Sequence, residues 1–360
     1  MAHQWRGVIR EYMDRLPFVE SDPIVTLGEG GTPLIEAPAL AKLLDVGNVH
    51  LKFEGMNPTG SFKDRGMTTA VSKAKARGAK AVIAASTGNT SAAAAAYAVK
   101  AEMASVVLVP AGKISWGKLS QAVAHKAQIL QVRGNFDDCL RLARELSDNY
   151  PVFLVNSVNP DRLQGQKTAA FEVVDVLGQA PDLHAMPLGN AGNISAYHLG
   201  YREDLEAGRI KKLPRLFGIQ AEGSAPFIKG SPVAKPETIA TAIRIGNPAS
   251  WDLAQAAKSD TGGGFGAVSD KEILWMHRFL SQETGVFVEP SSATGAAGLY
   301  KLSKQGELKG LNQVVITVTG HGLKDPDWAL KDERGKKIKP RKVSADAGAV
   351  ADFLGLEKNR

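Results

Sequence analysis

Cysteine is almost absent from this chain of 360 residues, where Cys139 stands alone. One thiol excludes an intramolecular disulfide and points to a reducing compartment, the cytoplasm. Its setting, Asp137-Asp138-Cys139-Leu140, is helical in pattern, which favours a small packed side chain over a nucleophile. The seven histidines are scattered, with no two of them three to five residues apart. Without a cysteine cluster or a His-Glu-x-x-His helix, nothing supports zinc, and no metal is expected. Apolar runs of the ~20 residues that cross a bilayer are missing, so no membrane partner is expected. The start, Met1-Ala-His-Gln-Trp-Arg6, lacks the apolar stretch of a secretion signal.

What is present can build a core: 44% of residues are hydrophobic and 22% charged, which excludes wholesale disorder. Lys plus Arg exceed Asp plus Glu by 44 to 37, a surplus of +7 that invites a polyanionic partner. Most of it, however, lies between Lys331 and Lys342, where seven basic residues meet only Asp332 and Glu333. That stretch has no aromatic residue for base stacking and contains Gly335 and Pro340. It reads as a solvated linker to a short final helix near 344–355, and no nucleic-acid partner is expected.

Short apolar runs alternate with helical patterns from about residue 80. Strands are expected at 81–85, 106–109, 129–132, 152–155, 183–188, 216–219 and 313–319. Helices are expected near 91–101, 115–127, 136–149 and 162–177 and from 194. Unbroken apolar strands suit parallel sheets covered on both faces, an α/β doubly wound architecture. The strands exceed the needs of one compact sheet, which favours two α/β domains with a cleft between them and boundaries near 70 and 160.

Four segments sit where such sheets bind ligands, at strand ends leading into helices. Ser86-Thr-Gly-Asn-Thr-Ser91 groups more polar side chains than a helix cap requires, so ligand contact is favoured over capping. Gly189-Asn-Ala-Gly-Asn193 lacks the leading Gly-x-Gly of a dinucleotide fingerprint, and a phosphate cradle is favoured over a plain turn. Gly112 to Leu119 imitates a nucleotide-binding loop but puts Leu119 where magnesium needs Ser or Thr, so an NTPase is a poor reading. Lys118 within it is a phosphate attractor or a solvated surface lysine. Asn57-Pro-Thr-Gly-Ser-Phe-Lys63-Asp-Arg-Gly66 is a sharp turn. Its lysine is inert if exposed, but a Schiff-base amine if desolvated near a phosphate cradle.

Together with Gly30-Gly-Thr-Pro-Leu34 and Thr319-Gly-His-Gly322, these segments resemble fold-type II pyridoxal-phosphate enzymes. Val155-Asn-Ser-Val-Asn-Pro160 and Thr238 to Trp251 narrow the resemblance to the threonine synthase family in its short bacterial form, and it covers roughly residues 5–330. The resemblance implies a tryptophan synthase β-like fold, with a discontinuous large cofactor-binding domain (1–70 and 160–330). It also implies a small α/β domain (71–159), and 331–360 is left as basic linker and final helix. It implies pyridoxal 5'-phosphate as cofactor, with Lys63 as its covalent anchor and proton-moving catalytic base. Asn89 would meet the phenolic oxygen, Thr319 the ring nitrogen, and Gly189, Asn190, Ala191, Gly192 and Asn193 the phosphate. Ser86, Thr87, Thr90, Lys118, Ser157, Arg162 and Asn190 would bind the substrate. Arg162 has the best physical case, since a guanidinium fork suits phosphate.

The implied reaction converts O-phospho-L-homoserine and water to L-threonine and phosphate by γ-elimination followed by β-addition. A homodimer is the usual assembly of the family. Ala84, Trp116, Lys126, Gln164 and His198 depart from the family's common residues. Because Trp116 and Gln164 flank the substrate loops, a related enzyme with another leaving group, such as a dehydratase or a β-replacement enzyme, is the alternative. A basic nucleic-acid-binding protein is the remaining one.

Overall fold

Apolar strands with helices on both sides organise the computed structural model, which describes residues 3–86, 88–112, 116–332 and 335–357, the side chains of 116–118 and 136–137 excepted. Ten strands occur among the described residues: β1 (Leu34–Glu36), β2 (Asn48–Phe53), β3 (Ala81–Ala85), β4 (Ala104–Pro110), β5 (Gln128–Val132), β6 (Val152–Leu154), β7 (Leu183–Pro187), β8 (Arg215–Ala221), β9 (Gly264–Val268) and β10 (Gln313–Val318). They form a six-stranded sheet in the order β1-β2-β10-β7-β8-β9 and a four-stranded sheet in the order β5-β4-β3-β6. Only the β1–β2 pair is antiparallel. The expected α/β architecture with parallel and mixed sheets is what the chain adopts.

Both faces of each sheet are covered, as the unbroken apolar strands demand. Val314, Ile316 and Val318 of β10 enter one core cluster, whereas Val315 between them faces another. In β3, Val82 and Ala84 pack on one side and Ile83 and Ala85 on the other. The alanine-rich helix Asn89–Lys100 buries every residue from Ser91 to Ala98, because short side chains let its backbone lie close to the sheet. Cys139 is buried, in keeping with a packing role.

The sequence reading begins at residue 80 and so leaves out β1, β2 and the helix Lys63–Ala76; further along it also omits β9 and the helices Trp251–Thr261, Asp270–Thr284 and Thr294–Lys304. Lys63–Ala76 is the most consequential of these. It crosses the helix Pro160–Leu177 at glycines, where a Cβ on Gly165 would fall 1.9 Å from the Arg65 carbonyl oxygen and one on Gly66 2.9 Å from that of Arg162. Beneath the crossing, the buried Arg65 guanidinium reaches Glu54 at 2.7 Å and Glu172 at 2.5 Å. Lys52 adds a 2.6 Å contact to Glu172.

The chain divides into two compact units, Met1–Asp325 and Pro326–Arg360. In the second, residues 335–342 of the basic segment are exposed, and the helix Ala347–Leu354 is capped by Asp346 and buries none of its residues. Two surface hollows, of about 420 and 300 Å³, lie along the edge strands β9 and β1–β2 and contain none of the candidate site residues.

Two stability predictions follow from the backbone. Gly165→Ala should destabilise by about 3 kcal/mol or more, because its methyl would meet backbone that cannot yield; urea melts would measure it. Lys126 holds φ +58°, a left-handed conformation costly to any side chain. Lys126→Gly should therefore raise stability by about 0.5–1 kcal/mol, after the added freedom of the unfolded chain is deducted.

Candidate active site

Each candidate segment leaves the carboxyl end of a strand, and local chemistry fixes its shape. After β6, Asn156 pairs with the Ala85 backbone as a strand would, accepting from its N–H and donating to its carbonyl at 2.9 Å each. This ties the Ser157 loop to the end of β3. Asn159 then caps the helix Pro160–Leu177 by accepting from Asp161 N–H, and Pro160 begins it with a pre-set φ. Arg162 thereby lies in the first turn.

The lysine loop is held as firmly. Asp64 is fully buried and accepts from the Thr59 N–H at 2.6 Å and its hydroxyl at 2.5 Å. Burial pushes this carboxyl up to about 7. Ser61 bridges Gly320, Phe62 N–H donates to the Thr319 carbonyl, and Lys324 Nζ donates to the Thr59 carbonyl and to Gln121. Lys63 thus starts its helix at a fixed place, half-buried, with its ammonium 4.0 Å from the Phe62 ring centre.

Because their two helices cross at glycines, Lys63 and Arg162 are brought together. Arg162 is only 1% exposed, its Nη1 donates to the Val155 carbonyl at 3.3 Å, and its Nε finds no partner among the described residues. Loss of solvent lowers its pKa to about 10. Burial first, and then the Arg162 charge, lower the Lys63 ammonium to about 7, against the pull of Glu289. A buried cation with no carboxylate partner among the described residues and an amine that loses its proton near pH 7 suit an anionic ligand and nucleophilic or base chemistry.

The remaining candidates divide. In 189–193 a Cβ on Gly189 would press on Ile243 at 3.1 Å, Ala191 takes φ +67°, and the helix Gly192–Glu206 begins without a side-chain cap. An uncapped helix start of this kind holds a phosphate well. Asn190 braces the neighbouring loop, its side-chain oxygen accepting from Ala249 N–H at 3.2 Å, and Asn193 is buried with its amide on the Met186 sulfur. Thr319 is buried and shares a 2.8 Å hydrogen bond with Ser292. Ser86 accepts from Gly88 N–H, and Thr90 and Ser157 are half-buried. Thr87 and the Lys118 side chain, like that of Trp116, lie outside the described residues.

Sequence reasoning missed Glu289, which is 4% exposed and accepts from Asn89 Nδ2 at 3.1 and 3.2 Å. It also missed Ser292, which accepts from Gly320 N–H at 2.8 Å. The only available signal was a Glu-Pro-Ser-Ser turn with an ionisable residue in an apolar context. Of the departures from the family's common residues, Ala84 is core and His198 sits 3.1 Å from Asp260. Among the described residues no cluster suits a metal, and no helix is long and apolar enough to cross a membrane.

Comparison with known proteins identifies the family. A family model described as pyridoxal-phosphate dependent enzyme matches residues 25–320. Threonine synthase of Mycobacterium tuberculosis is 57% identical over 357 residues, covering 99% of this chain and 98% of the relative. That of Synechocystis is 56% identical over 99% of this chain and 92% of its own, and that of Methanocaldococcus jannaschii 45% identical over 97% and 87%. In fold, maize serine racemase superposes with a TM-score of 0.72 at 19% identity, covering 89% of this chain and 94% of its own. O-ureido-L-serine synthase gives 0.70 at 18%, covering 94% and 100%.

The electrostatics make a direct prediction. In the cofactor-free protein, acylation of Lys63, followed by peptide mass spectrometry, should show a midpoint near pH 7. Removing the neighbouring cation by Arg162→Gln should move that midpoint upward.

Proposed function

Because the chain belongs to the pyridoxal-phosphate dependent enzyme family, we infer that it is a threonine synthase, converting O-phospho-L-homoserine and water to L-threonine and phosphate. The observation that carries this reading is the 57% identity to a threonine synthase across 99% of the chain. The cofactor is pyridoxal 5'-phosphate. The donor set fits it: an amine that loses its proton near pH 7, an uncapped helix start at Gly192 near a glycine whose Cβ would crowd Ile243, and a buried hydroxyl at Thr319.

When bound, pyridoxal phosphate supplies an electron sink for negative charge developing at the substrate's α-carbon. Lys63 is proposed to anchor it and then, freed, to move protons between Nζ and the adjacent substrate carbons, a task its flexible four-carbon stem suits. Asn89 is proposed to orient the phenolic oxygen. Residues 189–193 would hold the cofactor phosphate, and the Thr319 hydroxyl would face the ring nitrogen. Arg162 is assigned to the substrate's anionic groups because the protein leaves its buried guanidinium without a carboxylate among the described residues. Ser86, Thr87, Thr90, Lys118, Ser157 and Asn190 complete the proposed substrate contacts.

The two sheets support a large domain (1–70 and 160–330) and a small one (71–159), with 331–360 as basic linker and final helix. Cytoplasmic placement is proposed from the lone cysteine, and a homodimer from the family likeness.

Purified protein should absorb in the visible range and release threonine and phosphate in equal amounts from phosphohomoserine. Phosphate without threonine would overturn the assignment. Lys63→Ala should abolish the visible band and turnover. Arg162→Gln should lower kcat/KM by roughly 10²-fold, as expected for losing a buried charge-assisted contact.

A further inference from the structure

Glu289 belongs to no motif used above, yet it touches both sides of the site. Its backbone N–H donates to the Gly320 carbonyl at 3.1 Å, and a Cβ on Gly320 would fall 2.6 Å from its Oε1. The carboxylate is therefore pressed against the loop that carries Thr319. Its two oxygens both take the Asn89 amide, 200 residues away in sequence and at the start of the helix that follows β3. Asn89 stems from the four-stranded sheet, whereas Thr319 follows β10 of the six-stranded one.

We propose that Glu289 is a positioning residue, whose carboxylate fixes the orientation of the Asn89 amide and locks it in place relative to Thr319. This rests on the reading of Lys63, Asn89 and Thr319 as cofactor contacts. A carboxylate only accepts, so it selects the rotamer in which Nδ2, not Oδ1, faces Glu289. A glutamine would accept either rotamer. Mutual spacing of the two ring contacts is then set by one buried side chain pinned through its own backbone. The charged groups that face Glu289 are Lys63 and Lys324, which favour its anion, and Asp325, which opposes it. Burial raises its pKa, and the Asn89 and Ser291 hydrogen bonds draw it back. In turn its charge helps Lys63 keep a proton.

Glu289→Gln, Glu289→Asp, Asn89→Ala and the Glu289→Gln/Asn89→Ala double variant test the proposal. One readout is the Lys63 acylation midpoint in cofactor-free protein; the others are affinity for pyridoxal phosphate and the pH dependence of its visible band. Glu289→Gln should lower the Lys63 midpoint, weaken cofactor affinity on the order of 10-fold and shift the band's titration. Glu289→Asp, which keeps the charge, should hold the midpoint near that of the unsubstituted protein while still weakening the cofactor. In the Asn89→Ala background, Glu289→Gln should have no further effect on affinity. A Glu289→Gln protein with unchanged midpoint, band and affinity overturns the proposal, as does an undiminished affinity loss in the Asn89→Ala background. Should Glu289→Gln fail to fold, Glu289→Asp decides: cofactor affinity equal to that of the unsubstituted protein overturns it. Failure of the underlying reading looks different, since Lys63→Ala would then retain the visible band.

Discussion

Arg65 is the residue on which the geometry of this molecule turns. Its guanidinium, buried two positions after Lys63, lies between the carboxylates of Glu54 and Glu172, with Thr32 and Thr168 taking further donors. Lys52 joins Glu172, so two cations face two anions and the cluster is neutral. Arg65 and Lys52 together hold the Glu172 carboxyl down to about 2, even though burial alone would raise it. Desolvating four charges cancels much of what their attraction gains, so such a cluster contributes little net stability. Its effect is directional. It ties the helix Lys63–Ala76 to Glu54, just past β2, and to Glu172 on the helix Pro160–Leu177, the pair of helices that approach closely at Gly66 and Gly165.

The electrostatics of the site follow from this crossing. Two helix starts, each with positive partial charge, come together and bring Lys63 and Arg162 with them. Burial, and then the Arg162 charge, bring the Lys63 ammonium down to about 7, and the lysine rather than the arginine yields because guanidinium is the weaker acid. The formal charge of the whole chain has no bearing on this. Most of the +7 sits in the segment after residue 330, whereas the field that matters is made by two side chains and a few backbone amides.

That division explains what could be read from sequence. Polar residues at the mouths of apolar strands are conspicuous, so the loops at 86–91, 189–193 and 319–322 stand out, as do the strands before them. The helix Lys63–Ala76 does not, because its buried face includes Asp64, Arg65, Thr68, Thr69 and Ser72. Asp64 is satisfied by nearby Thr59 and the others by partners distant in sequence, and apolar periodicity is blind to a helix buried through polar contacts. Strand β9, Gly-Phe-Gly-Ala-Val, is hidden by its glycines. Glu289 is hidden for another reason: only the fold brings residue 289 to residue 89, and no spacing rule spans that separation.

Arg162 shows how binding and folding share one constraint. A buried guanidinium with one long carbonyl contact and an unpartnered Nε among the described residues is a cost to the folded protein. Evolution could remove it with an apolar residue of similar volume, which often stabilises a core. Keeping it makes sense only if an anion completes its hydrogen bonds, and that anion then stabilises the native chain in proportion to its binding. Arg65 and Arg162 are thus opposite uses of one side chain on adjoining helices. Arg65 is saturated by the protein and fixes the frame. Arg162 keeps an Nε without a partner among the described residues, which is what supports its proposed role toward an anionic substrate.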